Sequence, residues 1–312
     1  MSEKDEIAEI VDRVSGMLGP TVGEPVPIEG GITNRNYKVR FGEKDYVVRV
    51  PGKDTNLLEI DRYAELAASE MAAGAGVAPK VAAMLEKPPC LVTEFVGART
   101  MTAEELRRPE FLVDVAADLL SIHNATESLP SSFSSFRIVE TYAATGQERG
   151  ATIPHEYEQA HENARQIEEA IAGHPEHVPV PCHNDLLAGN FLHDGNRLWI
   201  VDWEYAGMGD RYFDLGNYAV NNELGADEES ALLTAYFDER PDGRRIAALG
   251  LMRFMSDFRE AMWGVIQSAI SELDFDFTGY ATKHFDRLRV QAADPRFERW
   301  LQEVRDSQGM DP

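Results

Sequence analysis

The chain has 312 residues with 43% hydrophobic residues and a formal net charge of −24, which allows about two domains with real cores and argues against nucleic acid or anionic membranes as partners, because phosphate recognition needs clustered Lys and Arg. No run of about 18 apolar residues predicts a membrane span, and the acidic, amphipathic start MSEKDEIAEI lacks the basic and apolar parts of a signal peptide, so a cytoplasmic protein is expected. Two cysteines, Cys90 and Cys182, make neither a disulfide framework nor a zinc spacing.

Apolar spacing at Ile7, Ile10, Val11, Val14 and Leu18 predicts a helix over 4–18, ended near Gly19-Pro20. Residues 26–50 read as strands (VPIE, NYKVRF, DYVVRV), the last two joined by a Gly-Glu-Lys hairpin signal. A helix is predicted over 56–75, closed by Gly74 and Gly76, then two more strands, KVAAML and CLVTEF. This makes residues 1–96 a small sheet-rich lobe and 97–312 a mainly helical one, with Gly97 as hinge. In the second lobe, helices are predicted over 102–125 and 155–173. The Ser-, Thr- and Gly-rich stretch 127–154 is expected to be an irregular excursion or lid. A strand pair, FLHD and RLWIVD, flanks Gly195-Asn196, and helices dominate 226–306. The fold class is α+β: two lobes, one a small antiparallel sheet, the other mainly helical.

The chemistry is concentrated in PCHNDLLAGNFLHDGNRLWIVDWEYAG, residues 181–207. Phosphoryl transfer needs a carboxylate to orient or deprotonate the acceptor hydroxyl, and oxygen ligands to hold Mg²⁺ against the phosphates. Asp185 and Asn190 lie in one tight loop, and a hairpin returns Asp202 to the same end. Each alone can be a turn former or strand-end residue, but the joint spacing carries the functional reading. His183 is expected to hold the loop by hydrogen bonds. Glu204, two residues past Asp202, shares its face if the strand continues, where it can assist the metal or stand behind it. Gly30-Gly31 between two strands lets backbone amides approach phosphate. Arg49 on the following strand can reach phosphates, with Glu65 orienting it, although an exposed strand Arg and a solvated helix Glu would read the same. No Walker A or GxGxxG sequence is present.

The order of these segments resembles the choline/ethanolamine kinase family, within the larger aminoglycoside-phosphotransferase-like group of protein-kinase-like fold, over about residues 25–295. HNDLLAGN resembles its catalytic loop, VDWEYAGMGDRYFDLGNY its metal segment, GGITNRNYKV its nucleotide loop, and YVVRVPG the strand where Arg stands for the kinase lysine. The resemblance implies ATP and Mg²⁺ as cofactors, Asp185 as base and Asn190 and Asp202 as Mg²⁺ ligands. It implies Gly30, Gly31, Thr33, Asn34, Arg49 and Glu65 as nucleotide-binding residues, Asp214 as a buried brace of the catalytic loop, and adenine bound to backbone near Glu94 to Val96.

It also implies an acceptor pocket at Trp263 and Tyr280, where aromatic faces attract a quaternary ammonium. Two positions depart from the family: Glu260 stands for a pocket tryptophan and Asn221 for a glutamate. Glu260 can favour a primary ammonium or face solvent. The apolar stripe Leu251, Phe254, Phe258, Met262, Ile266 and Ile270 needs only core packing, and Trp263 can belong to it. With Glu204 these residues make up the expected acceptor side, with Glu223 and Asp257 adding negative charge for a cationic amino alcohol. The expected activity is phosphotransfer from ATP to choline or ethanolamine. The alternatives are another small-molecule kinase of the same fold (aminoglycoside, thiamine or sugar) and a non-catalytic nucleotide-binding module. Missing GxGxxG, DFG and APE motifs argue against a protein kinase. The 30 basic residues are seven Lys and 23 Arg, a composition that fits a high-salt cytoplasm, where salt screens self-repulsion, and equally an ordinary acidic protein.

Overall fold

Helix α1 (Glu3–Leu18) precedes five strands, β1 (Thr21–Ile28), β2 (Asn34–Phe41), β3 (Lys44–Pro51), β4 (Val81–Glu86) and β5 (Pro89–Glu94), with α2 (Arg62–Gly74) between β3 and β4. The computed structural model describes residues 3–28, 34–52 and 55–306. The strands form one antiparallel sheet in the order β1-β2-β3-β5-β4. Alternation explains its buried face: Tyr37, Val39 and Phe41 on β2 and Tyr46, Val48 and Val50 on β3 are two apart. They pack against Ile7, Ile10, Val11 and Val14 of α1, with Leu85, Cys90 and Val92. The β2–β3 turn is two residues long, Phe41 facing Lys44, and Gly42 takes the φ of +58° that such turns demand. The helix expected from residue 56 starts instead at Arg62, because Asp61 caps it, accepting from Tyr63 N at 2.8 Å. Residues Thr55–Leu58 form a 3-10 turn.

Two units divide the chain: residues 1–101 with 189–204, and residues 102–188 with 205–312. The segment 189–204 joins the first by strand pairing. Phe191–His193 pairs with Arg99–Thr100 and with Leu198–Ile200, and Ile200 N donates to Val77 O at 2.9 Å.

The second unit is built from α3 (Ala103–Leu106), α4 (Pro109–His123), α5 (Ser135–Glu148), α6 (Glu156–Ile171), α7 (Arg211–Asn221), α8 (Ala226–Phe237), α9 (Gly243–Ile270), α10 (Phe277–Ala292) and α11 (Arg296–Asp306). The single helix expected over 102–125 is two, since Pro109 starts α4 at its first position. The irregular excursion expected over 127–154 is corrected: α5 runs through it. Its Ser, Thr and Gly residues mask a helical stripe, Phe136, Val139, Tyr142 and Gly146, buried while Ser134 caps the start through Arg137 N. Helix α9 has 28 residues and is buried almost all round from Ala247 to Gln267. Helix α7 approaches it closely at Gly216, where a Cβ would lie 2.7 Å from the Met252 carbonyl carbon and 2.8 Å from Arg253 N. Strand Val180–Cys182 pairs with Gly207–Gly209. Each unit buries one free cysteine, Cys90 in the sheet core and Cys182 at the end of that strand. Burial pushes the Cys90 thiol up to about 12 and Cys182 well above its ordinary value.

Candidate active site

In the first unit, the turn after Leu198–Ile200 assembles a buried ionic cluster. Asp202 sits at φ +70°, a left-handed conformation that costs a non-glycine residue free energy and clusters at functional positions. Its Oδ1 accepts from Arg49 Nη1 at 2.7 Å, and the same nitrogen donates to Glu65 Oε1 at 2.8 Å. Sequence reasoning anticipated the Arg49–Glu65 pair and missed Arg62, which donates to Glu65 Oε2 at 2.7 Å, Glu204 Oε2 at 3.2 Å and Asn34 Oδ1 at 3.1 Å. Its signal was the i,i+3 spacing to Glu65 on a helix. Burial opposes charge on Arg49, but Asp202, Glu65 and Glu204 outweigh it and hold the guanidinium protonated.

The strand does not continue to Glu204. Trp203–Tyr205 is a 3-10 turn, which buries Glu204 where Asn34 Nδ2 donates to it at 2.8 Å. Burial, then the neighbouring Asp202 charge, raise the Glu204 carboxyl to about 8. Asn190 closes a 3-10 turn, and its carbonyl accepts from Val201 N at 3.0 Å, tying it to the residue before Asp202. Gly30, Gly31 and Thr33 lie outside the described residues. Glu94 ends β5 and its side chain accepts from Lys44 Nζ at 3.1 Å, while the Val96 carbonyl, just beyond, accepts from Ala98 N.

In the second unit, residues 183–186 form a loop held from α7. Both Asp214 oxygens accept backbone N–H groups, His183 N at 2.8 Å and Asn184 N at 2.7 Å. The Asn217 side chain accepts from Leu186 N and donates to Ser256 Oγ at 2.9 Å, and Asn222 donates to Leu186 O at 3.2 Å. His183 is fully buried and its Nδ1 accepts from Asp185 N at 3.2 Å, the expected loop-holding contact. Asn184 has φ +66° and donates to Tyr205 O at 3.0 Å. These contacts brace the loop that carries Asp185, itself 8% exposed.

Asp185 Oδ1 accepts from Arg259 Nη1 at 3.2 Å, a partner sequence reasoning missed. Its signal was a cation on the same stretch of α9 as two acids, Asp257 and Glu260, all three buried. Arg259 also pairs with Glu260 Oε1, whose Oε2 accepts from Tyr280 OH at 2.6 Å. Glu260 is therefore buried and does not face solvent. Burial opposes its ionisation, but Arg259, His284 and Tyr280 prevail and hold the carboxyl below its ordinary value. Trp263 packs edge-on to Tyr280 at 5.6 Å and donates to Tyr205 OH at 3.1 Å, so Trp263 and Tyr280 are brought together beside Glu260. Asp257 adds no uncompensated charge, since His284 and Arg287 pair with it at 2.8 and 3.1 Å, and Glu223 is exposed. Asn221 ends α7 with its Nδ2 buried and unpartnered among the described residues.

The phosphotransferase enzyme family model matches residues 24–249. Ethanolamine kinase 2 from Mus musculus is 28% identical over 288 residues, covering 82% of this chain and 73% of that protein. Among solved structures, a choline/ethanolamine kinase family protein from Mesorhizobium loti is 32% identical, with TM-score 0.81 over 97% of this chain and 99% of that one. The choline kinase LicA from Streptococcus pneumoniae matches in fold, at 23% identity and TM-score 0.78 over 92% of this chain and 99% of that one.

Proposed function

The chain belongs to the choline/ethanolamine kinase family of phosphotransferases, and from that premise we propose how its own residues carry the reaction. The fold is protein-kinase-like, with an antiparallel-sheet N-terminal region and a mainly helical remainder. The protein is an ATP-dependent kinase that moves a γ-phosphate onto the hydroxyl of a small alcohol, choline or ethanolamine.

The observation that carries the assignment of roles is Arg49, held by Glu65 and aimed at Asp202. It is the cation-and-carboxylate pair that phosphate binding requires. Asp185 orients the acceptor hydroxyl. As the acceptor oxygen bonds to the γ-phosphorus and the bridging P–O bond breaks, the hydroxyl proton passes to Asp185 and ADP leaves. Arg49 offsets charge on the phosphates. The amide oxygen of Asn190 and the carboxylate of Asp202 are hard donors that suit Mg²⁺, and the strained Asp202 backbone is what a constrained ligand would need. Mg²⁺ would supply charge neutralisation to the phosphates. Trp263 and Tyr280 would offer aromatic faces to the acceptor's ammonium group, and Asn34 would meet the nucleotide, a role the sequence resemblance also implies for Gly30, Gly31 and Thr33, which lie outside the described residues. Glu94 to Val96 would meet the adenine through backbone groups. A cytoplasmic location fits both substrates, and no described helix is long and apolar enough to cross a membrane.

The test is ADP release from Mg-ATP with choline, ethanolamine, thiamine, an aminoglycoside or no acceptor. Turnover dependent on choline or ethanolamine is expected. Turnover with thiamine or the aminoglycoside alone would keep the chemistry and overturn the acceptor.

A further inference from the structure

Arg259 is 2% exposed on a helix whose adjoining Phe258, Ala261 and Met262 are buried. A guanidinium in a structural role pairs its N–H groups as a fork with carboxylate oxygens. Here a single nitrogen, Nη1, serves two acids, Glu260 Oε1 at 2.5 Å and Asp185 Oδ1 at 3.2 Å. Nε and Nη2 are buried without a hydrogen-bond partner among the described residues. The Tyr205 ring, 4.2 Å from the guanidinium carbon, fixes the plane. Burying a cation in this way costs stability that an apolar side chain of similar volume would not. What the arrangement does achieve is to fix one acid relative to another.

We propose that Arg259 is a positioning residue for Asp185 and that Glu260 is its counterweight, an inference that rests on reading Asp185 as the base. A guanidinium beside a carboxylate fixes its rotamer and lowers its basicity. Arg259 sits closer to Glu260 than to Asp185, so its pull on Asp185 is partial. The three groups together carry a charge of −1, which leaves Asp185 able to take the hydroxyl proton. Among the titratable groups facing this trio, Tyr280 binds Glu260, His284 packs tilted against Tyr280 at 4.6 Å and pairs with Asp257, Tyr142 and Tyr205 flank Arg259, and His183 Nδ1 accepts from the Asp185 amide.

The experiment is the pH dependence of kcat and kcat/KM for the acceptor in wild type, E260Q, R259K, R259Q and D185N. E260Q frees Arg259 to turn fully on Asp185. Its acid limb should move to lower pH by about one unit, with kcat at neutral pH about tenfold lower and KM for ATP unchanged. R259Q should move the acid limb upward, and R259K should restore part of the lost kcat. If R259Q does not fold, E260Q and R259K still decide the matter: folded variants with the wild-type acid limb would overturn the proposal. D185N separates the premise from the inference. Turnover retained in D185N removes the base assignment, whereas a dead D185N beside unmoved limbs removes only the role of Arg259.

Discussion

Two side chains of the candidate site, Asp185 and Arg49, are each held by named partners, and each predicts a measurable loss. Asp185 has its backbone and its loop fixed by Asp214, Asn217 and Asn222, so replacing it changes chemistry more than shape. D185A is expected to lower kcat by about a thousandfold and leave ATP affinity nearly intact, read by nucleotide titration beside steady-state kinetics. A loss of ATP affinity without a matching loss of turnover would count against the base role. Arg49 divides one nitrogen between Glu65 and Asp202. Lysine keeps the charge but not the planar donor geometry. Losing one charge-assisted hydrogen bond is worth about 1.5–3 kcal/mol, so R49K should lower kcat/KM for ATP by roughly tenfold to a hundredfold. Unchanged kinetics in R49K would show that Arg49 acts only as a point charge.

At the scale of elements, the braces behind the loop matter as much as the loop. Helix α7 delivers Asp214 and Asn217, and it reaches α9 through Gly216, where an added Cβ would meet backbone atoms that no side-chain rotation can move. G216A is expected to destabilise by about 2–3 kcal/mol and to lower kcat as the loop shifts; a neutral effect on both would mean that α7 and α9 can separate without disturbing Asp185. A second brace is Glu176, which accepts from Tyr212 on α7 and pairs with Arg244 and Arg245 on α9 at 2.7 and 3.2 Å. Burial opposes its charge, but Tyr212 and the two arginines lower it from 4.5 to about 2. A depressed carboxylate stabilises above its unfolded value and loses that contribution as pH falls through its folded value. The extra stability of wild type over E176Q, on the order of 2 kcal/mol at neutral pH, should therefore shrink between about pH 4.5 and pH 2 in denaturant titrations.

The same elements show what the sequence could and could not disclose. Strand alternation over Tyr37 to Val50 and the α1 stripe were legible because local periodicity reports one buried face. Asp185, Asn190 and Asp202 stood out as candidates because the chemistry proposed for them depends on short spacing. Helix α5 was hidden, because its Ser, Thr and Gly content outweighed a four-residue stripe in a local reading. Arg62 and Arg259 were hidden because their partners are far along the chain: Arg259 meets Asp185 across 74 positions, and no window of sequence holds both.

For the whole molecule, the charge of −24 is a term in stability as well as in partner choice. Self-repulsion weakens as ions screen it, over about 10 Å at 0.1 M and 3 Å at 1 M. If the acidic surface is adapted to high salt, Tm should rise steeply between low and molar KCl, and a Tm indifferent to KCl would leave an ordinary acidic protein. Ion pairs such as Arg40 with Asp45 and Arg296 with Asp294 are exposed, worth little each, and will not mask that response.

The two buried cysteines make the chain its own stopwatch. A thiol with no solvent contact and a raised pKa cannot be alkylated until its surroundings open. One such thiol lies in each unit, Cys90 under the sheet and Cys182 just ahead of the Asp185 loop. Timed alkylation followed by mass spectrometry of the two peptides therefore clocks the opening of each unit separately in the unmodified protein. A nucleotide that slows alkylation at Cys90 alone, or an acceptor that slows it at Cys182 alone, would assign each ligand to the unit it steadies without a mutation or a crystal.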